Sequence, residues 1–274
     1  RSTMVIWHGM EGSTNSVYMW SIAHKAFAAG FNVVRVNYRN CGGTEHLTTT
    51  LYHGGLTIDL KVVIEELIAK DHLSKIFPVG FSLGGNMVLK LLGEYGQDSP
   101  TELISAAVVS PSVDLQASTN LILKRSNWLY HKNFVRSLKS RITKKNTLYP
   151  DLYSLDGLRK IKTIKDFDER YTSIANGFAN AADYYYKSSC IRVVDKIRVP
   201  TLIIHAKDDP FIPFEPLCDD AFTHNPNLLL VQTDKGGHVA FLSAGNRGED
   251  RFWAENRVVE FCQLSAANLT SESA

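Results

Sequence analysis

Several features that would assign a sequence to a class at once are missing from this chain. No apolar run approaches the roughly 18 residues that cross a bilayer as a helix, and no internal repeat or low-complexity segment is visible. The formal net charge is only +2, so the chain as a whole lacks the basic excess that marks nucleic-acid binding. The four cysteines, Cys41, Cys190, Cys218 and Cys262, are scattered without a C-x-x-C pair. That pattern argues against a disulfide framework or a zinc site and fits a reducing compartment. His and Cys are too dispersed to nominate any metal site, and no cofactor is implied. The first residue is Arg1 and no signal-peptide pattern is in view, so a cytoplasmic location is expected. An upstream anchor would lie outside the sequence.

What is present is a globular composition: 274 residues, 44% hydrophobic and 21% charged. Short apolar strands alternate with amphipathic helices. Thr3–Trp7 reads as a strand, Val17–Ala29 as a helix stopped by Gly30, and Phe31–Val36 as a second strand. A helix from about Leu56 to Lys70, a strand at Ile76–Val79, a helix through Met87–Leu92 and a strand at Leu103–Val109 follow. The rhythm stops between about residues 113 and 195 and resumes with a strand at Val199–Ile204. A helix near Glu215–Thr223, a strand at Leu228–Gln232 and a helix from about Asp250 to Leu264 complete it. Such alternation predicts βαβ units in an α/β fold with a mostly parallel, doubly wound sheet. The expected organisation is a core of residues 1–112 and 196–266, a mainly helical cap insertion at 113–195, and a frayed tail at 267–274.

The chemistry centres on Gly80-Phe81-Ser82-Leu83-Gly84, a G-x-S-x-G pattern set between a strand and a helix. In that context the pattern predicts a sharp turn that lifts the Ser82 hydroxyl above the sheet. Glycines at 80 and 84 leave room for the turn. A serine hydroxyl needs a general base, and the base needs an orienting group. Both are available at later strand ends. His238 follows Gly236-Gly237 after the Leu228–Gln232 strand, and Asp208-Asp209 follow the Val199–Ile204 strand. Of the two aspartates, Asp209, immediately before Pro210, is read as the acid and Asp208 as its loop-capping neighbour. The expected oxyanion donors are the amides of Leu83 and Met10, the latter in the loop His8-Gly9-Met10 after the first strand. His8 is read as a brace for that loop, His205 as loop packing, and His53-Gly54-Gly55 as a turn.

From Leu121 to Lys145 there are eight lysines and arginines and no acid: Lys124, Arg125, Lys132, Arg136, Lys139, Arg141, Lys144 and Lys145. Leu121, Trp128, Val135 and Ile142 recur at helical spacing. Two readings stand: a helix covering the site with a solvated basic face, and a surface touching an anionic membrane. Trp128, Tyr130 and Phe134 are candidate pocket residues.

These residues resemble the α/β-hydrolase superfamily, through Gly80–Gly84, Asp209 and Gly236-Gly237-His238. Longer stretches resemble its YheT-like branch, the AB hydrolase 4 family. They are His8–Ser13, Asn37–Gly43, Tyr52–Leu60, Gly80–Leu89, Phe167–Thr172, Tyr184-Tyr185 and Ala206–Phe211. The resemblance implies carboxylic ester hydrolysis, with lipase or phospholipase activity in some eukaryotic relatives. It makes Ser82 the nucleophile, Asp209 the acid and His238 the base. Asn40 departs from the pattern, standing where relatives often carry glycine, a change expected to alter loop shape more than chemistry. The family's N-terminal antiparallel strands have no counterpart here. The expected partner is a small-molecule ester, with no nucleic acid. A thioesterase or amidase with the same triad remains open, as does a non-catalytic or membrane-bound binding protein on the same fold.

Overall fold

Side-chain alternation sets the sheet. In β1 (Thr3–Trp7), Val5 and Trp7 enter one apolar core and Met4 and Ile6 the other, the period of two that a strand imposes. With β2 (Asn32–Val36), β3 (Ile76–Phe81), β4 (Ala106–Val109), β5 (Thr201–Ala206) and β6 (Leu228–Thr233) it builds a six-stranded sheet. The strand order is β2-β1-β3-β4-β5-β6 and every pairing is parallel. The structure is a computed structural model that describes residues 1–245 and 248–271.

Parallel strands must be buried on both faces, and helices cover both. Three helices precede β4: α1 (Val17–Ala28), α2 (Thr57–Ala69) and α3 (Leu83–Tyr95). Between β4 and β5 lie α4 (Leu115–Ile122), α5 (Trp128–Leu148), α6 (Ile164–Phe167), α7 (Ser173–Ala175) and α8 (Ala181–Ser188). A π-helical turn, Asp168–Thr172, joins α6 to α7. The chain ends with α9 (Asp220–Thr223) and α10 (Trp253–Ser271). Met19 and Ile22 of α1 and Val258 and Cys262 of α10 fill one face of the sheet, while Leu60 and Ile64 of α2 and Met87 and Leu91 of α3 fill the other. The fold is therefore doubly wound α/β. A third apolar cluster lies in the segment between β4 and β5. It joins Val135, Leu138 and Ile142 of α5 to Phe167 and Tyr171, and reaches Leu51, Phe211 and Ile212 in loops of the sheet domain.

Several local expectations need correction. β4 starts at Ala106, and Leu103 makes only an isolated bridge to Ile76. The helix expected at Glu215–Thr223 is split into a 3₁₀ turn, Glu215–Cys218, and α9, because the Asp219 carboxylate caps a new start by accepting from the Ala221 amide. The last helix begins at Trp253 and runs to Ser271, so residues 267–271 of the expected tail are helical, and 272–274 lie outside the described residues. The Leu121–Ile142 stripe is interrupted: α4 ends at Ile122, a 3₁₀ turn occupies Arg125–Asn127, and Trp128 opens α5 on its exposed side. Among the described residues no helix is long and apolar enough to cross a membrane. All four cysteines are free, with only Cys218 exposed.

Candidate active site

Three loops at the C-terminal ends of β3, β5 and β6 carry the residues that matter, the edge where open parallel sheets collect their ligands. β3 runs straight into Ser82, whose backbone sits at φ +53°, ψ −117°. A non-glycine residue adopts that conformation only when its surroundings enforce it. Here the Ser82 amide donates to Val109 O at 2.9 Å, and Ser82 O accepts from the amides of Asn86 at 3.1 Å and Ser112 at 3.3 Å. The flanking glycines are required by space. A methyl on Gly80 would lie 2.4 Å from Gly84 O, and one on Gly84 would lie 2.6 Å from His8 O and 2.7 Å from Trp7 O.

Asp209 and His238 meet. His238 Nδ1 donates to Asp209 Oδ2 at 2.8 Å, and the carboxylate is fully buried while the imidazole keeps 18% exposure. Asp209 Oδ1 accepts from the amides of Phe211 at 2.8 Å and Ile212 at 3.1 Å. Asp208 does something different. Its Oδ1 accepts from the amides of Gly236 and Gly237, both at 2.9 Å, and so shapes the loop that leads to the histidine. Gly237 takes φ +61°, and a methyl on Gly236 would meet the Phe241 ring at 2.6 Å. Ser110 Oγ donates to His238 O, and Phe211 packs edge-on against the imidazole with centroids 4.9 Å apart. Among the described residues no hydrogen bond joins Ser82 Oγ to His238.

The loop after β1 lies against the serine: a methyl on Gly9 would be 3.1 Å from Ser82 Cβ. Nearly all of its amides are engaged. Gly9 N donates to Tyr18 Oη at 2.8 Å, Glu11 N to Tyr52 Oη at 3.1 Å and Gly12 N to Gly9 O at 3.1 Å. Among the described residues the Met10 and Leu83 amides have no acceptor. His8 is fully buried. Its Nδ1 donates to Gly9 O at 2.7 Å while Nε2 accepts from Tyr38 N at 3.4 Å, and burial pulls its pKa down to about 4. A neutral ring with both nitrogens engaged braces the loop. His205 is buried too, with Nε2 3.2 Å from Ile212 O and its pKa lowered by burial. His53 closes a turn through Leu56 N at 3.1 Å to its carbonyl, and Asn86 Nδ2 donates to Gly54 O at 2.8 Å.

Glu11 ties this loop to α5, a link that the sequence pattern does not announce. Its carboxylate pairs with Arg141 at 2.7 Å, accepts from Ser137 Oγ at 2.5 Å and accepts from Tyr52 Oη at 2.9 Å. Arg141 also donates to Asn40 O and lies over the Tyr52 ring, 4.7 Å from its centroid. Lys145 is fully buried and donates to the carbonyls of Glu45 and Thr48. The basic face of α5 is thus not simply solvated: two of its cations turn inward onto the loop that follows β2. Trp128 and Tyr130 are 55% exposed, so they do not line the pocket. Tyr130 and Phe134 pack instead on Phe211, with centroids 4.8 and 6.0 Å apart. Asn40 explains its own departure. It sits at φ +66°, where glycine costs nothing and asparagine is the next best tolerated residue.

Ser82 opens into a largely apolar cavity whose walls include Met10, Leu83, Leu115, Ile122, Leu138 and Ile164. A carboxyl group unconnected with the strand-end loops also faces it, that of Asp168 from the π-helical turn. Among the described residues no group of three His, Cys, Asp or Glu side chains is placed to hold a metal ion.

Comparison with known proteins agrees with this architecture. The family described as "alpha/beta hydrolase fold" matches residues 2–244. The YheT protein of Escherichia coli is 32% identical over 94% of this chain and 75% of its own length. A Saccharomyces cerevisiae protein named medium-chain fatty acid ethyl ester synthase/esterase 2 is also 32% identical, over 94% of this chain but only 61% of its own length. Among solved structures, the Pyrococcus furiosus esterase Pf2001 aligns with a TM-score of 0.60 over 96% of this chain and 82% of that one, at 18% identity, a likeness of fold. The chain belongs to the α/β-hydrolase fold family and, within it, to the YheT-like branch.

Proposed function

We propose that the protein is a serine hydrolase that cleaves carboxylic esters through an acyl-enzyme. The observation that carries this reading is the Asp209–His238 hydrogen bond at 2.8 Å, in loops that share the sheet edge with the strained Ser82 turn. His238 Nε2 takes the proton from Ser82 Oγ as the oxygen attacks the ester carbonyl. Asp209 holds the proton on Nδ1, which leaves Nε2 free as the base, and stabilises the imidazolium that forms. The amides of Met10 and Leu83 receive the oxyanion, a contribution of roughly 10²–10³ in turnover for each donor. His238 then protonates the leaving alcohol, and water activated by the same imidazole releases the acid. In free enzymes the serine–histidine bond is often long and tightens with substrate.

The apolar cavity and the relative named for medium-chain ethyl esters support acyl chains of intermediate length as substrates. Oxygen esters, thioesters and amides of one acyl chain, compared on the purified protein, test the leaving group. Turnover confined to thioesters or amides would replace the ester reading. The exposed face of α5 extends the proposal to a surface. Trp128, Leu129 and Tyr130 are 55–62% exposed. Lys124, Arg125 and Lys132 are exposed around them, a combination suited to an anionic lipid surface. Flotation with vesicles containing phosphatidylserine, lost in Trp128→Ala/Leu129→Ala, supports that contact. Equal flotation with neutral vesicles, or none, removes it.

A further inference from the structure

Asp168 is a charged residue that the triad chemistry leaves unused. It opens the π-helical turn Asp168–Thr172, a rare backbone element often found at functional sites. It is only 8% exposed, and among the described residues no lysine or arginine pairs with it. Its two partners are hydroxyls: Tyr185 Oη donates to Oδ2 at 2.6 Å and Thr172 Oγ1 donates to Oδ1 at 2.7 Å. Asp168, Thr172 and Tyr185 all line the cavity into which Ser82 opens.

The direction of those bonds decides what the cluster can bind. An ionised carboxylate offers about four lone-pair sites, and two are filled. Both hydroxyl protons are committed to the carboxylate, so it faces the cavity with acceptors. A phosphate or a second carboxylate would meet only repulsion there. A plain alkyl chain would strip water from the carboxylate and give nothing back. The Arg141 guanidinium on the same wall is paired with Glu11, so a cation would find one carboxylate already holding two hydroxyls, the alternative that the choline ester below tests. A neutral hydroxyl, which donates one proton and brings no charge, fits.

We propose that Asp168, with Thr172 and Tyr185, forms a subsite that binds a free hydroxyl group of the substrate and selects hydroxyl-bearing esters over plain alkyl esters. The proposal rests on the ester-hydrolase reading for its consequence in turnover, but the subsite itself is a binding site. Burial raises the Asp168 pKa to about 6, so the carboxylate is a costly feature of an otherwise apolar wall. A purely structural brace between Tyr185 and Thr172 would not need a charge.

Two ester pairs test the subsite and distinguish the two halves of the substrate. Glyceryl monooctanoate against propyl octanoate places the hydroxyl on the alcohol, and methyl ω-hydroxyoctanoate against methyl octanoate places it on the acyl chain. The wild type is expected to favour the hydroxylated member of one pair by at least about tenfold in kcat/KM, and Asp168→Asn to bring that ratio close to one. No preference in either pair, or two rates that fall in parallel in the variant, overturns the subsite. So does a preference for the octanoyl ester of choline that Asp168→Asn abolishes, since that assigns the site to a cation. Binding of octyl glycerol ether against octyl propyl ether, measured by calorimetry on wild type and Asp168→Asn, needs no hydrolysis. If neither ester turns over, the hydrolase reading fails alone, and the ether pair still decides the subsite: a glycerol-ether preference lost in the variant supports it, and equal binding overturns it.

Discussion

The sheet edge and the helices between β4 and β5 face the same cavity, yet they hold their polar groups in different ways. At the sheet edge the key carboxylates rest on backbone amides, of their own loop or of the adjacent one. Asp209 takes those of Phe211 and Ile212, and Asp208 those of Gly236 and Gly237 from the neighbouring strand end. On the helical side, support comes from side chains and distant carbonyls. Arg141 spans to Glu11 and Asn40, Lys145 to Glu45 and Thr48, and Asp168 rests on two hydroxyls. Backbone amides cannot swing away as side chains can, so the carboxylates they hold are fixed in place. At Asp168 this side-chain support leaves the carboxylate with lone pairs to spare, which costs stability and leaves capacity for a ligand.

The largest effect should separate the two adjacent aspartates. Asp208 uses one oxygen to accept from two amides, and an asparagine oxygen can do the same. Asp209 must accept from two amides and an imidazole on two oxygens, and an amide nitrogen cannot replace the second. Asp209→Asn should therefore lower kcat by about 10⁴, and Asp208→Asn by less than about tenfold, in steady-state ester hydrolysis. A large loss confined to Asp208→Asn would reverse their roles.

Next comes the link between the two regions. Arg141→Met removes the cation from a buried pair and strands the Glu11 carboxylate, which should cost about 3–5 kcal/mol in urea unfolding. Adding Glu11→Gln should recover a good part of that loss. If the single variant loses less than about 1 kcal/mol, the Glu11 loop is not fastened through α5.

A pH dependence sharpens the contrast further. The groups around the Asp168 carboxylate are the hydroxyls of Tyr185 and Thr172 and the nearby Tyr184, none of them cationic at neutral pH. Its folded pKa, about 6, lies above the usual carboxylate value, so the native state binds the proton more tightly than the unfolded chain. Stability from this residue is full below about pH 4 and is lost as pH rises through about 6. Asp168→Asn cannot ionise and should match the wild type at pH 4. Above pH 7 it should be more stable by up to about 2–3 kcal/mol in thermal unfolding. A variant less stable at every pH would make Asp168 a structural brace.

The smallest effect lies at Asn40. Among the described residues its buried Nδ2 and Oδ1 have no partner, and its φ is +66°. Asn40→Gly should raise stability by up to about 1 kcal/mol. A loss would mean that the asparagine side chain contributes through contacts that glycine lacks.

The contrast also explains how much was legible in the sequence. The strand-turn-helix around Ser82, the strand-end positions of Asp209 and His238 and the bracing role of His8 all follow from short-range patterns, because β-strand period, glycine spacing and loop chemistry act within a few residues. The partners of the basic helix did not follow. Carbonyl oxygens such as those of Thr48 and Asn40 leave no trace in composition, and the Glu11–Arg141 pair joins residues far apart in the chain. The heptad from Leu121 to Ile142 misled for a related reason: spacing alone cannot reveal that Lys124–Asn127 breaks the helix and turns Trp128 outward. Asp168 lies within the Phe167–Thr172 stretch that carries the family resemblance, but only the cavity shows what its side chain faces.

If the Asp209–His238 pair serves as the proposed base, this sheet edge activates Ser82. Labelling with a fluorophosphonate probe tests it directly, on the wild type, Ser82→Ala and His238→Ala, each verified as folded by circular dichroism. One label is expected on the wild type, none on Ser82→Ala, and labelling slowed by orders of magnitude on His238→Ala. A folded wild type that resists the probe, or a label that survives in Ser82→Ala, would contradict it.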